Sequence, residues 1–498
     1  MSEWNTQAII LAAGRSTRFK TKKTKMLFNI CGRAMILYPI KVLEELNIPV
    51  ATVLGYQADL VQEEIQKAQV KNVTHIIQKE QLGTGNAVAI TASTWKEKDI
   101  LVLNGDTPLV SKNLLEELLT EHQKDDTAVT FCTTMVLDPR GYGRVTKKDG
   151  IIQIVEEKNC TPSQRDINKI NAGVYVFSKS FLEKNIHKLE KNSVTGEIYL
   201  PALIELAGRQ NLNVKTFAVP YDDVRGVNTL EQLWSVEQIK RSEFIKYWMS
   251  EGVRFELAQS IHIDINVKIA PDTFIGTGVH LLGDTTIGEN CTINAFSILE
   301  NVSVGNNSKI LWHSVIQNSI IGSNVQVGPF ARIRNNSSVG NNTTIGNFVE
   351  ITATRIGENS KTRHLTYLGN TIVGKSVNIG AGTITCNFDG LKKQETIIKD
   401  NAFIGSNNTL IAPITIGEGA YTAGGSTLTQ DAPAQSLSIG RSKQEIKPDY
   451  AHKLRKKIEE KSTCNPNQVS ISDSPEEADV PLKFQGAIKA DMKDSDSL

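Results

Sequence analysis

Little in this sequence favours charge-driven binding. Lys and Arg number 55 against 54 Asp and Glu, a net charge of +1, so no global basic field draws nucleic acid or an acidic membrane surface. An anionic ligand must be held by local groups. Cysteine is sparse: Cys31, Cys132, Cys160, Cys291, Cys386 and Cys464 lie far apart with no C-x-x-C pair, which reads as a reducing compartment without a zinc site. No apolar run approaches the roughly 20 residues that span a bilayer. The start, Met1-Ser-Glu-Trp-Asn5, has neither a basic nor an apolar leader region, so the expectation is a soluble, cytoplasmic protein. With 498 residues, 40% of them apolar, the chain should divide into two or more domains with substantial cores.

What the chain does have is a six-residue beat of aliphatic side chains. Ile263, Ile269, Ile275, Leu281, Ile287, Ile293 and Leu299 keep step, and after a slip Ile321, Val327, Ile333, Val339, Ile345 and Ile351 keep it again. Gly, Asn, Thr, Ser and charged residues lie between, which neither a helix of period 3.6 nor a strand of period 2 explains. A coil that turns a corner every six residues and buries one aliphatic side chain per turn does explain it. That is the hexapeptide β-helix, a prism closing in about 18 residues per coil, and residues 257–445 are assigned to it.

Upstream, over residues 1–228, Gln7–Leu11, Pro49–Leu54, Asp99–Leu103 and Ala128–Phe131 read as strands. Residues 33–46, 57–68, 84–94 and 111–123 read as the helices between them, as in a mostly parallel α/β sheet. Ligands of such sheets lie at the carboxyl ends of strands, here after Leu11 and Leu103. Leu230–Met249 has helical spacing and makes 229–256 a helical linker. A basic arm, 446–461, follows the prism, and 462–498, rich in Ser, Asp and Pro, is expected to be disordered.

Three segments carry chemistry at the N-terminal end. Leu11-Ala-Ala-Gly-Arg-Ser-Thr-Arg18, with Lys25, is neither a Walker loop nor a dinucleotide fingerprint. A small-residue turn with free backbone N–H groups, flanked by Arg15, Arg18 and Lys25, nevertheless suits a triphosphate. The plain alternative is an ordinary turn with solvated arginines. Gln78-Lys-Glu-Gln-Leu-Gly-Thr-Gly-Asn86 supplies amides able to read a base edge. Leu103-Asn-Gly-Asp-Thr-Pro108 puts Asp106 just beyond a buried strand, as a Mg²⁺ ligand beside phosphates or as a turn cap. In the prism, Ser360-Lys-Thr-Arg-His-Leu-Thr-Tyr-Leu-Gly369 interrupts the beat and contains His364. Thr383-Ile-Thr-Cys-Asn-Phe-Asp-Gly390 opens a further break, where Cys386 reads as a packing residue rather than a nucleophile.

These segments, with Gly141-Tyr-Gly-Arg144, Ile154-Val-Glu-Glu157, Ile170-Asn-Ala-Gly173 and Gly226-Val-Asn228, resemble the bacterial bifunctional N-acetylglucosamine-1-phosphate uridylyltransferase/glucosamine-1-phosphate acetyltransferases over about residues 5–445. The resemblance implies an α/β plus β architecture: a Rossmann-like nucleotidyltransferase domain, a linker helix and a left-handed parallel β-helix, with trimers as the usual assembly. It implies that Leu11, Ala12, Ala13, Gly14 and Lys25 hold UTP phosphates, that Gln78, Gly83 and Thr84 recognise uracil, and that Asn104 and Gly105 belong to the same site. Asp106 and Asn228 would ligate Mg²⁺, Gly143, Glu156 and Asn171 would bind N-acetylglucosamine-1-phosphate, and Arg18 and Lys25 would neutralise developing charge. His364 would be the base for acetyl transfer, beside Arg334, Lys361, Tyr367 and Asn378 for glucosamine-1-phosphate. Ala381, Asn387, Phe388, Ser406, Gly424 and Arg441 would contact acetyl-CoA.

Three departures from the family pattern stand out. Ser16 replaces a usual Gly and Thr24 a usual Pro, so the phosphate loop should be stiffer or repositioned. Thr352 replaces a usual Lys that meets the sugar phosphate, which should weaken that binding unless Arg334, Arg355 or Arg363 compensates, Arg363 being the favoured candidate. The alternatives to a bifunctional enzyme are a monofunctional uridylyltransferase with the prism as an oligomerisation scaffold, which Thr352 keeps open, and a non-catalytic regulator. Lys25, Asp106, Glu156 and Asn228 argue against the regulator.

Overall fold

A computed structural model describes residues 4–193 and 195–463; most of the tail expected to be disordered, residues 464–498, lies outside the described residues. Strand Thr6–Ala12, almost wholly buried, sits inside a nine-stranded sheet. Its main path runs Asn213–Ala218, Thr127–Met135, Lys169–Ser178, Asp99–Asn104, Thr6–Ala12, Val50–Leu54, Val73–Ile77, and the hairpin Arg144–Lys148/Ile151–Val155 branches from Lys169–Ser178. All neighbours in this path run parallel except Lys169–Ser178, which is antiparallel to both of its partners. Apolar clusters cover both faces, which is why the central strands read as unbroken apolar runs.

Helices Leu37–Glu45, Ala58–Lys67, Thr84–Ala89 and Lys112–Gln123 fill the connections. The segment expected to be helical from residue 33 instead begins as a hairpin, Asn29–Ile30 against Arg33–Ala34. Gly32, at φ +80°, makes that turn in the left-handed region. Val73–Ile77, the hairpin Arg144–Lys148/Ile151–Val155, Lys169–Ser178 and Asn213–Ala218 are strands beyond the four expected from sequence. Several of these are only partly buried, so their apolar signal is diluted.

Helix Leu230–Ser250, capped by the Thr229 side chain, leads into the parallel β-helix, whose first strand is Arg254–Phe255. His262 lies in register with His280 and Lys268 with Thr286, 18 residues on. The next coils close in 17: Thr292 meets Lys309 and Ile298 meets Val315. One contracted hexapeptide per coil is the slip in the beat. Farther on, Asn378 meets Phe403 and Ile384 meets Thr409, 25 residues on, because the segment after Asn387 loops out before Thr396 resumes the face. Through all of this the inward residues remain stacked in one cluster from Ile245 to Ala432. Asn290, Asn307, Asn324, Asn342 and Asn359 turn one corner with φ of 54–62°, a conformation that Asn tolerates best among residues with a side chain.

The α/β sheet and the prism meet at Cys31, whose carbonyl accepts the Ile265 N–H at 3.0 Å. A side chain on Gly32 would strike the Asp264 carboxylate. Segment 441–463 is a separate unit containing helix Tyr450–Thr463. Among the described residues, no helix is long and apolar enough to cross a membrane.

Ile345 is fully buried in the stack, so Ile345→Ala should cost about 2–5 kcal/mol in denaturant unfolding of the prism. A loss below about 0.5 kcal/mol would contradict a close-packed prism core.

Candidate functional site

A cleft of about 530 Å³ opens at the carboxyl ends of strands Thr6–Ala12 and Asp99–Asn104. Its walls include Leu11, Ala13, Gly14, Arg18, Lys25, Gln78, Gly83, Thr84, Asn104, Asp106, Gly143, Glu156, Asn171 and Asn228. Folding thus brings together residues spread over more than 200 positions. Ala12 and Gly105 stand behind the wall: Ala12 is in the apolar core, and Gly105 is packed against Ile36.

The buried Lys25 ammonium is the electrostatic centre. It donates to the Asp106 carboxylate, to Asn228 Oδ1 at 2.8 Å and to the Val227 carbonyl at 3.0 Å. Arg18 Nη2 reaches the same Asn228 Oδ1 at 2.8 Å. Oxygens from a carboxylate, a carboxamide and a carbonyl around one cation form the kind of donor set that suits Mg²⁺. Both loop departures find their reasons here. Ser16 adopts the left-handed conformation, φ 55°, and its Oγ accepts the Lys25 N–H at 3.4 Å. Thr24 has φ −61°, which is what a proline would impose. Unlike proline, it keeps an N–H, and donates it to Gln57 Oε1 at 2.8 Å.

At the second wall, Gln78 Nε2 donates to Asn86 Oδ1 at 2.8 Å. Gly83 has φ +101°, and a Cβ there would meet the Ile198 carbonyl at 2.5 Å. That close approach is stitched by Ile198 N–H to Leu82 O at 2.7 Å and Gly85 N–H to Ile198 O at 2.8 Å. At the far end, a Cβ on Gly143 would meet Ile154 and the Glu156 carboxylate, so glycine keeps the space in front of Glu156 open. Burial, and secondarily the charge of Glu197, raises the Glu156 carboxyl pKa. Gln81, Tyr142, Glu197 and Tyr199 also line the cleft and were not singled out from sequence. Gln81 and Tyr142 lie inside quoted motifs, whereas Glu197 and Tyr199 belong to a loop without motif.

On the prism, His364 is exposed and its Nδ1 meets Asn347 Oδ1 at 2.8 Å from the coil below. A carbonyl-type oxygen there places the ring proton on Nδ1 and leaves Nε2 free to accept another. The following coils stack Ala381, Ser406 and Gly424 along the same corner: Gly382 N–H reaches His364 O, Asn407 N–H reaches Ala381 O, and Gly425 N–H reaches Ser406 O. Tyr367 and Asn387 converge over Gly369, where a Cβ would meet the Tyr367 hydroxyl and the Asn387 amide, each at 2.6 Å. Asn378 is in register with Lys361 on a neighbouring face, and Phe388 is exposed at the start of the looped-out segment. Arg441 opens the separate segment.

Thr352 is buried and accepts the Asn335 amide at 2.8 Å. Of the three arginines considered as compensation, Arg334 is in direct register with it and pairs with Glu350 at 2.7 Å. Arg355 and Arg363 lie on other strands.

A doubly wound sheet with a cation-centred cleft at its strand ends, matched over residues 7–248 by the Nucleotidyl transferase family profile, defines a nucleotidyltransferase joined to a parallel β-helix. The GMPPB C-terminal domain profile matches residues 257–338. Bifunctional protein GlmU of Alkaliphilus metalliredigens is 38% identical over 449 residues, covering 89% of this chain and 97% of that protein. Those of Koribacter versatilis and Fervidobacterium nodosum are each 39% identical, over 90% and 91% of this chain and 96% and 98% of theirs. The chain belongs to the bifunctional GlmU family.

A carboxyl group whose folded pKa lies above its unfolded value destabilises the fold as pH rises between the two. Glu156→Gln should therefore raise the melting temperature near neutral pH, and the gain should vanish below the unfolded carboxylate range, about 4.3. A pH-independent change, or a loss at neutral pH, would contradict the burial argument.

Proposed function

We propose that this enzyme makes UDP-N-acetylglucosamine in two steps: acetyl transfer from acetyl-CoA to glucosamine-1-phosphate on the prism, then uridylyl transfer from UTP to N-acetylglucosamine-1-phosphate in the α/β cleft. Residues 1–228 carry the second step, 229–256 link, and 257–445 carry the first; the compartment is the cytoplasm. The oxygen cage around Lys25 is the observation that carries the uridylyl assignment. Asp106 and Asn228 would hold Mg²⁺, which when bound neutralises phosphate charge. The turn Leu11–Gly14 cradles phosphates with backbone N–H groups, and Lys25 and Arg18 offset charge as pyrophosphate leaves. Gln78, Gly83 and Thr84 face the base, and Gly143, Glu156 and Asn171 face the sugar. No protein nucleophile is needed, since the sugar phosphate oxygen attacks the α-phosphorus directly.

For acetyl transfer, His364 Nε2 takes the proton of the glucosamine amine as nitrogen attacks the thioester carbon, with Asn347 holding the ring. An amine of pKa about 8 is largely protonated near neutral pH, so a base in that position has a role to fill. Arg334, Tyr367 and Asn378 bind glucosamine-1-phosphate, and Ala381, Asn387, Phe388, Ser406 and Gly424 bind acetyl-CoA. Asp106→Ala should abolish Mg²⁺-dependent pyrophosphate release while sparing acetyl transfer. His364→Ala should do the reverse, lowering CoA release by about 10²–10⁴-fold. Either variant retaining wild-type rates in its own half-reaction would sink that assignment.

The assembly we infer is a homotrimer packed through one prism corner. Phe296, His313, Phe330 and Phe348 stack there with centroids 5.1–5.4 Å apart and rings within 13° of parallel. With Leu365, all have φ of 48–60°, which costs a bulky residue on the order of 1 kcal/mol. About half or more of Phe296, Phe330, Phe348 and Leu365 is exposed in the single chain. An apolar ladder in a costly conformation is what a subunit contact would cover, and it ends beside His364. Phe330→Glu with Phe348→Glu should convert a trimer to a monomer by light scattering and remove acetyl transfer selectively. A monomeric wild type would overturn this.

A further inference from the structure

Between Phe19, buried against Phe28, and buried Thr24, the loop Lys20–Lys23 is exposed and carries three lysines. Its two ends bear Arg18 and Lys25, the cations of the cleft. Self-repulsion and exposure both work against a fixed loop. Gln57 and Tyr56 oppose them. Gln57 Nε2 donates to the Lys22 carbonyl at 3.0 Å while its Oε1 accepts the Thr24 N–H at 2.8 Å. The carboxamide therefore spends its acceptor and a donor on residues 22 and 24 at once. The Tyr56 hydroxyl donates to the same Lys22 carbonyl at 3.0 Å, and Tyr56 N–H donates to Ala13 O at 3.2 Å. Gln57 is itself held at φ 54°, directly before helix Ala58–Lys67. Its anchor is the carboxyl end of strand Val50–Leu54, which runs in register beside Thr6–Ala12. The clamp thus ties the lysine loop to the same strand ends that carry the phosphate turn.

We propose that Gln57 is a positioning residue for nucleotide binding, which it governs by holding the Lys20–Lys23 loop so that Arg18 and Lys25 face the triphosphate. The inference rests on the assignment of Lys25 to the UTP phosphates. Thr24 supplies a clean probe, since its Oγ1 is buried with no hydrogen-bond partner and its φ already suits proline, so Thr24→Pro removes little beyond the N–H.

The test uses the full chain. Gln57→Asn keeps an amide and a residue tolerant of positive φ but falls one methylene short. It should raise KM for UTP about tenfold, as expected for losing hydrogen bonds that each contribute modestly, with kcat within about twofold. Trypsin should cut after Lys20, Lys22 or Lys23 faster than in wild type. Gln57→Glu, which keeps only the acceptor, should fall between the two. Thr24→Pro should raise KM as well, and Gln57→Asn in a Thr24→Pro background should add less than it does alone. Wild-type KM and cleavage in Gln57→Asn, or effects of the two substitutions that simply multiply, would overturn the clamp. Lys25→Met separates the two ideas. If it binds UTP as wild type does, the phosphate assignment itself fails; if it loses UTP while Gln57→Asn is unaffected, only the clamp fails.

Discussion

Each coil of the prism must set its inward aliphatic side chains directly over those of the coil below, and the rest of the C-terminal half follows from that constraint. The core tolerates no gap, so extra or missing residues are absorbed at the corners. Coils of 18, 17 and 25 residues coexist on one uninterrupted stack. Corners in turn demand left-handed backbone, which Asn and Gly supply cheaply and the Phe296–Leu365 ladder supplies at a cost. His364, its partner Asn347 and the looped-out segment after Asn387 sit where the repeat bends or breaks. The residues proposed for acetyl transfer lie where the core makes no demand on side-chain identity.

The α/β half answers to a different constraint. A buried ammonium is tolerable only when its protons find acceptors, and Lys25 finds three from two distant segments. That cage draws the Asp106 turn, the Val227–Asn228 segment and the lysine loop to one point. Gln57 then works from outside the cage, gripping the loop by its backbone. Thr24 in place of a proline and Ser16 in place of a glycine fit this arrangement. One provides an N–H for Gln57 and the other a hydroxyl for the Lys25 amide.

Much of this was legible in the residues. The Ile and Val beat is local, so it survives in one dimension, and the buried runs around Ile10, Thr52 and Val102 mark central strands for the same reason. Asp106 was readable as a candidate because it sits in a short motif at a strand end, and His364 because its segment, at a break in the beat, resembles the family's. Glu197, Tyr199, Gln57 and Asn347 were not, since each gains its place from a partner far along the chain. The helix expected from residue 33 starts only at Leu37, because Gly32 first turns the chain back into the strand Arg33–Ala34. Thr352 was legible as a departure, but its bond to Asn335, and Arg334 in register beside it, depend on which residue lies one coil below.

The sequence by itself determined the two architectures and their order, because hydrophobic periodicity is set by neighbours a few residues apart. Only the tertiary structure decided that Lys25 meets Asp106, 81 residues away, and Asn228, 203 away, and that Gln57 reaches Thr24. Those meetings depend on strand order and coil register, which follow from packing the whole chain at once rather than from any local pattern.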